Sequence, residues 1–213
     1  SNLGEIIFPD QLLMIFAKDV LSRNKGSQIV FDVKCSNLLA QTIEAAGGEP
    51  CMSATGHFHI KNALKKSGAP LAGEMSGHIF FNDQWYGFDD GHYSAFRLIE
   101  IIGNLNKSLS SIFASLPRAF STPEINIEVE ESQKFWIVDN FIKNAEFSDA
   151  TKITIDGLRV NFKDGWGLLR ASNTTPKLVL RFEAETSDRL LEIQNLFLKQ
   201  LKQIDETIKI KLS

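Results

Sequence analysis

The segment 170–176 gathers the residue types that bind a phosphate group. It carries one arginine, one asparagine and three hydroxyl side chains between two predicted strands. A guanidinium can pair with two phosphate oxygens at once, and the short polar side chains and backbone N–H groups of a tight turn donate at close range. A plain strand connection built from turn-forming polar residues has the same composition, so this segment taken alone leaves both interpretations open.

The segment 73–78 is a second polar cluster, and it contains two glycines, which let the backbone approach a ligand closely. The carboxylate of Glu74 and the hydroxyl of Ser76 suit vicinal sugar hydroxyls. His78 can transfer a proton or pair with a phosphate near neutral pH. The alternative for this segment is an exposed turn with a capping histidine.

Lys34 follows a nearly continuous apolar run at residues 28–33. Ligands of open α/β sheets bind at the carboxyl ends of the strands, which makes Lys34 a candidate ligand contact. A solvated lysine after a strand is the simpler interpretation of Lys34 alone. The segment 55–57 forms a further polar turn in front of a predicted helix.

His57, His59 and His78 suggest a zinc site, but no cysteine pair and no carboxylate at helical spacing accompanies them. We therefore expect no metal bound by this chain. Adjacent Asp89 and Asp90 are interpreted as a surface carboxylate and a helix cap rather than as a cation site.

The first half of the sequence predicts the elements that would position these residues. Apolar residues recur at helical spacing after Pro9, and the run 28–33 is typical of a strand buried on both faces. A second helix is predicted over 36–46, a short strand over 50–53 and a third helix over 59–66. The alternation predicts an α/β domain over residues 1–105, with a helix-covered mixed sheet.

Two local features complete this domain. Residues 79–81 and 85–88 predict a β-hairpin, because two apolar or aromatic runs flank Asn82-Asp83. Asp90 can cap a helix that runs to about residue 102.

Serine and proline crowd into the segment 106–120, which we predict to be a linker. Residues 121–213 then predict a smaller α+β domain with an antiparallel sheet. Its strands are expected over 124–129, 152–155, 158–162, 166–171 and 177–184, and its helices over 133–143 and 187–203.

Composition excludes several classes of partner. The formal net charge is −3 and the pI about 5.8, so no basic field attracts nucleic acid or anionic lipid. The acidic balance also disfavours a nucleic-acid adaptor built on the second domain's sheet. No apolar run approaches the roughly 20 residues of a membrane span. Cys35 and Cys51 make no disulfide framework, so a reducing cytoplasm is expected.

Four segments together resemble the α-D-phosphohexomutases, most closely the phosphomannomutase/phosphoglucomutase branch: 32–36, 55–57, 73–78 and 170–176. They occur in the family's order over nearly the whole chain. The resemblance implies that residues 1–105 are the family's third domain and residues 121–213 its fourth.

The resemblance also implies roles for individual residues. Glu74 and Ser76 would hold the sugar hydroxyls; Lys34, His57 and His78 would line the cleft, with His78 catalytic; Arg170, Ser172, Asn173 and Thr174 would clamp the phosphate. No metal ligand is implied in this chain.

The implied activity is that of an intramolecular phosphotransferase of the isomerase class. Such an enzyme interconverts hexose 1-phosphate and hexose 6-phosphate, of mannose or glucose, through a phosphoserine, a hexose 1,6-bisphosphate and Mg²⁺. The family's active serine and three-aspartate magnesium loop are not in this sequence. We therefore expect a C-terminal half that recognises sugar and phosphate, is inactive alone, and has the missing N-terminal domains as partners. The alternative is a stand-alone phosphosugar-binding module without catalysis.

Overall fold

The computed structural model describes residues 1–206 and residue 208, and the chain divides into two compact units, Ser1–Pro117 and Arg118–Ser213. The elements of unit 1 are, in chain order, α1 (Pro9–Arg23), β1 (Gln28–Asp32), α2 (Asn37–Ala45), β2 (Glu49–Ser53), α3 (His57–Ser67), β3 (Leu71–Gly73), β4 (Ile79–Phe81), α4 (Gly91–Leu105) and α5 (Leu109–Ala114).

The sheet of unit 1 has the strand order β2-β1-β3-β4. β1 pairs in parallel with both β2 and β3, and β4 joins β3 as an antiparallel edge strand. The central position of β1 explains its continuous apolar run, because both of its faces are covered. The predicted α/β domain with a mixed sheet is confirmed.

Helices cover the two faces of this sheet. Ile29 and Phe31 of β1 belong to a core shared with α1 and α2, whereas Val30 packs in a second cluster with Ile60 and Leu64 of α3. This alternation follows from the two-residue period of side chains along a strand.

Side-chain caps start two of the helices, and the sequence predicts the one formed by Asp90. The Ser36 hydroxyl accepts a hydrogen bond from the Leu38 N–H at 3.0 Å in front of α2. The Asp90 carboxylate accepts from the Tyr93 N–H at 2.9 Å in front of α4. Each cap satisfies a backbone donor that has no partner inside its helix.

The predicted hairpin between residues 79–81 and 85–88 is wrong. β4 pairs instead with β3, in the register Leu71↔Phe81. On its other side, β4 forms one isolated bridge within the described part of the chain, Phe80↔Asp89. Gly87 has a φ of +69°, which prevents residues 85–88 from forming a continuous extended strand. In addition, β3 has only three residues, so the sequence shows no strand pattern there.

Much of the segment predicted as a linker, 106–120, is folded onto unit 1. It contains α5, and Ile112, Phe113 and Leu116 are buried in the core of that unit. Ile112 and Phe113 lie in α5 and Leu116 follows it, and the burial of these three apolar side chains overrides the turn-like composition of the segment. The boundary between the two compact units lies between Pro117 and Arg118.

The elements of unit 2 are β5 (Phe120–Ser121), β6 (Ile125–Glu128), α6 (Lys134–Asn144), β7 (Thr151–Ile153), β8 (Leu158–Phe162), β9 (Gly165–Ala171), β10 (Lys177–Ala184) and α7 (Ser187–Ile204). Its sheet has the order β5-β10-β9-β8-β7, with β6 also paired to β10, and every pair is antiparallel. Phe141 of α6 and Phe197 of α7 pack with Leu169 and Leu180 of the sheet. The predicted α+β class is confirmed.

Among the helices that the structure describes, none is both long and apolar enough to cross a membrane.

Candidate functional site

Three polar segments meet at one edge of the unit 1 sheet. β1, β2 and β3 end at Asp32, Ser53 and Gly73. Because these strands are parallel, their carboxyl ends lie at the same edge, where ligands of α/β sheets bind. The segments predicted to contact a ligand in this unit follow directly on these three strand ends.

Asp32 connects the three segments through hydrogen bonds. Its Oδ1 accepts from the backbone N–H of Met75 and from the thiol of Cys35, each at 3.1 Å. Its Oδ2 accepts from the hydroxyl of Thr55 at 3.3 Å. The sequence patterns predict no role for Asp32, although a carboxylate at the end of a buried strand is a usable signal.

Lys34 lies beside this carboxylate and is itself almost fully buried. Its side chain is 7% exposed, and its Nζ lies 3.9 Å from Oδ2 of Asp32. Burying an ammonium group is costly unless an opposite charge is near. Asp32 therefore keeps a positive charge at the sheet edge, at the position the sequence predicts.

The loop after β3 is a tight turn. The N–H of Glu74 donates to the carbonyl of His78 at 2.9 Å, and the N–H of Gly77 donates to the carbonyl of Glu74 at 3.0 Å. Gly77 has a φ of +99°, a conformation that only glycine adopts without strain. The turn leaves Ser76 and His78 exposed and points Glu74 inwards.

The Glu74 carboxylate is buried but only partly satisfied. Its Oε2 accepts from the N–H of Gly56 at 3.2 Å and from the hydroxyl of Ser76 at 3.5 Å. Its Oε1 is buried without a hydrogen-bond partner among the described residues. Burial, and secondly the nearby charge of Asp32, raises the pKa of Glu74 above its usual value. A ligand hydroxyl would satisfy the free oxygen.

Two of the predicted histidines share one carboxylate. Oδ2 of Asp89 lies 2.6 Å from Nδ1 of His78 and 3.3 Å from Nε2 of His57. The two imidazole rings meet edge to face with centroids 5.5 Å apart, and each side chain is 48% exposed. His59, considered with them in the sequence, instead stacks edge to face with Phe58.

This cluster offers metal-ligating atoms. The ligand atoms of His57, His78 and Asp89 lie within 4.8 Å of one another. Two imidazole nitrogens and one carboxylate are typical of zinc rather than of magnesium, which prefers oxygen ligands. The sequence does not place Asp89 beside these histidines, and its prediction that this chain binds no metal stays a prediction.

Arg170 lies near the end of β9 in unit 2 and is oriented by a neighbouring hairpin turn. Its Nε donates to Oδ2 of Asp156 at 2.9 Å, and its side chain is 6% exposed. Its Nη2 is buried without a partner among the residues described. The turn packs closely on β9, since a Cβ on Gly157 would lie 2.2 Å from the carbonyl oxygen of Leu169. The guanidinium therefore has an oriented, unsatisfied nitrogen.

The turn after β9 is organised by one hydroxyl. Oγ of Ser172 accepts from the Thr175 hydroxyl at 2.8 Å, the Thr175 N–H at 3.2 Å and the Thr174 N–H at 3.4 Å. Nζ of Lys134, a buried residue of α6, donates to the carbonyl of Thr175 at 3.2 Å. Asn173 and Thr174 remain exposed, whereas Ser172 is buried.

The structure thus groups the predicted residues into two sets. In unit 1 these are Lys34, His57, Glu74, Ser76 and His78; in unit 2 they are Arg170, Ser172, Asn173 and Thr174. The sequence patterns miss the residues that hold them in place, namely Asp32, Asp89, Asp156 and Lys134.

Two family models match the chain. "Phosphoglucomutase/phosphomannomutase, alpha/beta/alpha domain III" matches residues 8–120, and "Phosphoglucomutase/phosphomannomutase, C-terminal domain" matches residues 124–200. Together they cover both units.

Curated relatives match along nearly the whole chain. A phosphomannomutase/phosphoglucomutase of Pseudomonas aeruginosa is 51% identical over 210 residues, which are 99% of this chain and 45% of the relative. A phosphoglucomutase of Neisseria meningitidis serogroup A is 55% identical over 196 residues, which are 91% of this chain and 42% of the relative. The chain therefore spans less than half the length of the relatives it matches.

A solved structure agrees with the fold. A phosphoglucomutase/phosphomannomutase family protein of Burkholderia thailandensis matches with a TM-score of 0.91 and 48% identity. The match covers 98% of this chain and 44% of that protein.

Proposed function

Because the chain belongs to the phosphoglucomutase/phosphomannomutase family, we propose that it is the sugar- and phosphate-recognising part of an α-D-phosphohexomutase. The observation that carries this proposal is the buried guanidinium of Arg170. Its Nε donates to Asp156, while its Nη2 has no partner among the described residues. Arg170 also comes two residues before a turn that contains three hydroxyl side chains. A phosphate oxygen is the ligand that satisfies such a nitrogen.

Arg170, Ser172, Asn173 and Thr174 form the proposed phosphate clamp. Asn173 and Thr174 are exposed and can donate to phosphate oxygens, and the Ser172 hydroxyl holds the turn in shape. Arg170 supplies the positive charge that compensates the phosphate.

Glu74 and Ser76 form the proposed contact with the sugar. The unsatisfied Oε1 of Glu74 accepts a hydrogen bond from a sugar hydroxyl, and the exposed Ser76 hydroxyl contacts a neighbouring one. Lys34 and His57 line the same sheet edge and supply a positive charge and a hydrogen-bonding ring. The tight turn that holds Glu74 and Ser76 sets the spacing between the two contacts.

The proposed reaction moves a phosphoryl group between O1 and O6 of a mannose or glucose phosphate. A sugar hydroxyl attacks the phosphorus of a phosphoserine, the O–P bond forms as the P–O bond to serine breaks, and His78 takes the hydroxyl proton. A group of the N-terminal domains gives a proton to the departing serine oxygen. The hexose 1,6-bisphosphate then reorients, and the serine oxygen attacks its other phosphorus as its proton returns to that group. The P–O bond to the sugar breaks, and the sugar oxygen takes the proton back from His78. We propose that the phosphoserine is supplied by N-terminal domains, as partners of these two units.

Magnesium is the cofactor that the family implies, and a relative of the same fold, the Aspergillus fumigatus N-acetylphosphoglucosamine mutase, was solved with GlcNAc-6P and magnesium. The residues described here do not fit a magnesium ion, because the cluster of His57, His78 and Asp89 has two nitrogen ligands. We therefore propose that its ligands lie outside this chain. Cys35 and Cys51 form no disulfide among the described residues, which supports our proposal of a reducing, cytoplasmic setting.

The test is an NMR titration of the 213-residue chain with glucose 1-phosphate, mannose 1-phosphate and their 6-phosphates. We expect shifts at residues 73–78 and 172–176, and no conversion between the two phosphate esters by the chain alone. Absence of shifts at millimolar ligand contradicts recognition. Turnover by the purified chain contradicts the proposal that this chain recognises sugar and phosphate but is inactive without the N-terminal domains. Strong binding together with a mutase-inactive complete gene product would favour a stand-alone binding module.

A further inference from the structure

Asp89 anchors two imidazole rings with a single carboxylate. Its Oδ2 lies 2.6 Å from Nδ1 of His78 and 3.3 Å from Nε2 of His57. Its Oδ1 accepts from the backbone N–H of Ile79 at 3.3 Å. Both oxygens are therefore occupied by groups around the sheet edge.

The backbone of Asp89 is held in place from two sides. It forms a bridge with Phe80 of β4, and the next residue, Asp90, caps α4 by accepting from the Tyr93 N–H. The ring of His57, the first residue of α3, packs edge to face on Phe80 with centroids 4.8 Å apart. The carboxylate and the rings consequently have little freedom to rearrange.

The chemistry of these groups determines which nitrogens carry hydrogen. An ionised carboxylate only accepts hydrogen bonds, so each ring nitrogen that faces Asp89 must be the donor. A neutral His78 is then the Nδ1–H tautomer, and a neutral His57 the Nε2–H tautomer. The lone pair of His78 lies on Nε2, on the far side of the ring from Asp89.

We propose that Asp89 is a positioning residue for His78, which it holds as the Nδ1–H tautomer with Nε2 free to accept a proton. After that transfer the imidazolium remains paired with the Asp89 carboxylate, which stabilises its charge. The catalytic consequence rests on the proposed mutase function. The tautomer assignment does not, because it follows from the contacts alone.

A merely stabilising ion pair is the weaker explanation of this cluster. The histidine side chains are each 48% exposed and Asp89 is 28% exposed, and exposed pairs contribute little to stability. We therefore expect variants at Asp89 to fold. Their main effect should be a change in the tautomer and orientation of His57 and His78.

The first test is a long-range ¹H–¹⁵N correlation spectrum of the chain, recorded at a pH where the ¹⁵N shifts of His78 are those of a neutral ring. We expect the Nδ1–H pattern for His78, although neutral histidine in water favours Nε2–H. In Asp89→Ala, His78 should revert to Nε2–H, while His59 and His92 keep their wild-type patterns. An Nε2–H pattern for His78 in the wild-type chain overturns the proposal, whatever the variant does. An unchanged His78 pattern in Asp89→Ala also overturns it.

The second test is kinetic and uses the complete gene product. Asp89→Ala should lower kcat by about tenfold or more and change KM by less than about threefold, because the ring contributes to proton transfer rather than to binding. Glu44→Ala, which removes an exposed carboxylate on α2, is the matched control and should change neither constant. Full kcat in Asp89→Ala overturns the positioning role. A wild-type product without mutase activity refutes the proposed function instead, and the tautomer spectrum still decides the assignment of Asp89.

Discussion

The backbone N–H of Met75 donates to Oδ1 of Asp32 at 3.1 Å across 43 positions of the chain. This bond ties the loop after β3 to the end of β1. Since Oδ2 of the same carboxylate accepts from Thr55, one buried side chain sets the relative positions of three polar segments. The residues proposed to contact the sugar therefore depend on a carboxylate that itself faces the protein interior.

Replacing Asp32 with alanine should destabilise unit 1 by about 3 kcal/mol. The change removes the acceptor of the Met75 N–H and a carboxylate 3.9 Å from the buried Lys34 ammonium, and breaking a buried charged contact costs several kcal/mol. The measurement is urea unfolding followed by NMR signals of unit 1. Glu44→Ala, on the exposed face of α2, should stay within about 0.5 kcal/mol of wild type. A loss below about 1 kcal/mol in Asp32→Ala would show that Asp32 does not organise the sheet edge.

Glu74 should make stability depend on pH in a specific direction. Burial and the nearby charge of Asp32 raise its pKa in the folded chain above the ordinary value of 4.5. The folded state then holds the proton more tightly than the unfolded state. This contribution to stability is complete below pH 4.5 and is lost as the pH rises through the folded pKa.

The substitution Glu74→Gln should remove that part of the pH dependence. The measurement is the difference in the free energy of unfolding between variant and wild type across this pH range. The difference should grow in favour of the variant as the pH rises. Glu44→Gln, at an exposed position, should show no such trend. A pH-independent difference for Glu74→Gln would contradict the raised pKa.

Arg170→Ala should weaken the binding of glucose 6-phosphate by about tenfold or more, which corresponds to the roughly 1.5–3 kcal/mol of a charged hydrogen bond. The measurement is calorimetric or NMR titration of the chain. Lys199→Ala removes one positive charge from an exposed position of the same unit and should have little effect. Arg170→Lys should restore only part of the affinity, because an ammonium cannot bond Asp156 and a phosphate with a planar fork. Unchanged affinity in Arg170→Ala would refute the phosphate clamp.

Gly157→Ala should destabilise unit 2 by about 3 kcal/mol or more. Gly157 has a φ of +75°, and its Cβ would lie 2.2 Å from the carbonyl oxygen of Leu169 and 2.7 Å from Cα of Arg170. Chemical denaturation followed by unit 2 signals measures the loss. The opposite result is expected for Gly103→Ala in α4, where a Cβ meets open space and should add about 0.5 kcal/mol to unit 1. Wild-type stability in Gly157→Ala would show that the turn can move away from β9.

Several features of this protein were determined by local sequence patterns. The apolar period after Pro9 predicts α1, the run 28–33 predicts the central strand, and Asp90 predicts the start of α4. These patterns are readable because a helix or strand repeats its buried positions every few residues along the chain. The motif 73–78 and the segment 170–176 likewise carry the residues proposed to bind sugar and phosphate within a few positions of one another.

The partner of β4 was decided only by the tertiary structure. The apolar run 79–81 predicts a strand correctly, but its partner is the three-residue β3 rather than the segment 85–88. Two strands pair in the arrangement that buries the apolar side chains of both. A three-residue strand is too short to show the alternation of buried and exposed residues from which its partner could be predicted.

The residues that orient the candidate site also became visible only in three dimensions. Asp89 lies 11 positions from His78 and 32 from His57, and Asp156 lies 14 positions before Arg170. Nothing in the local spacing of these carboxylates predicts their partners. Their roles follow from hydrogen-bond distances, and only the packing of the strands and helices brings the paired groups within such distances.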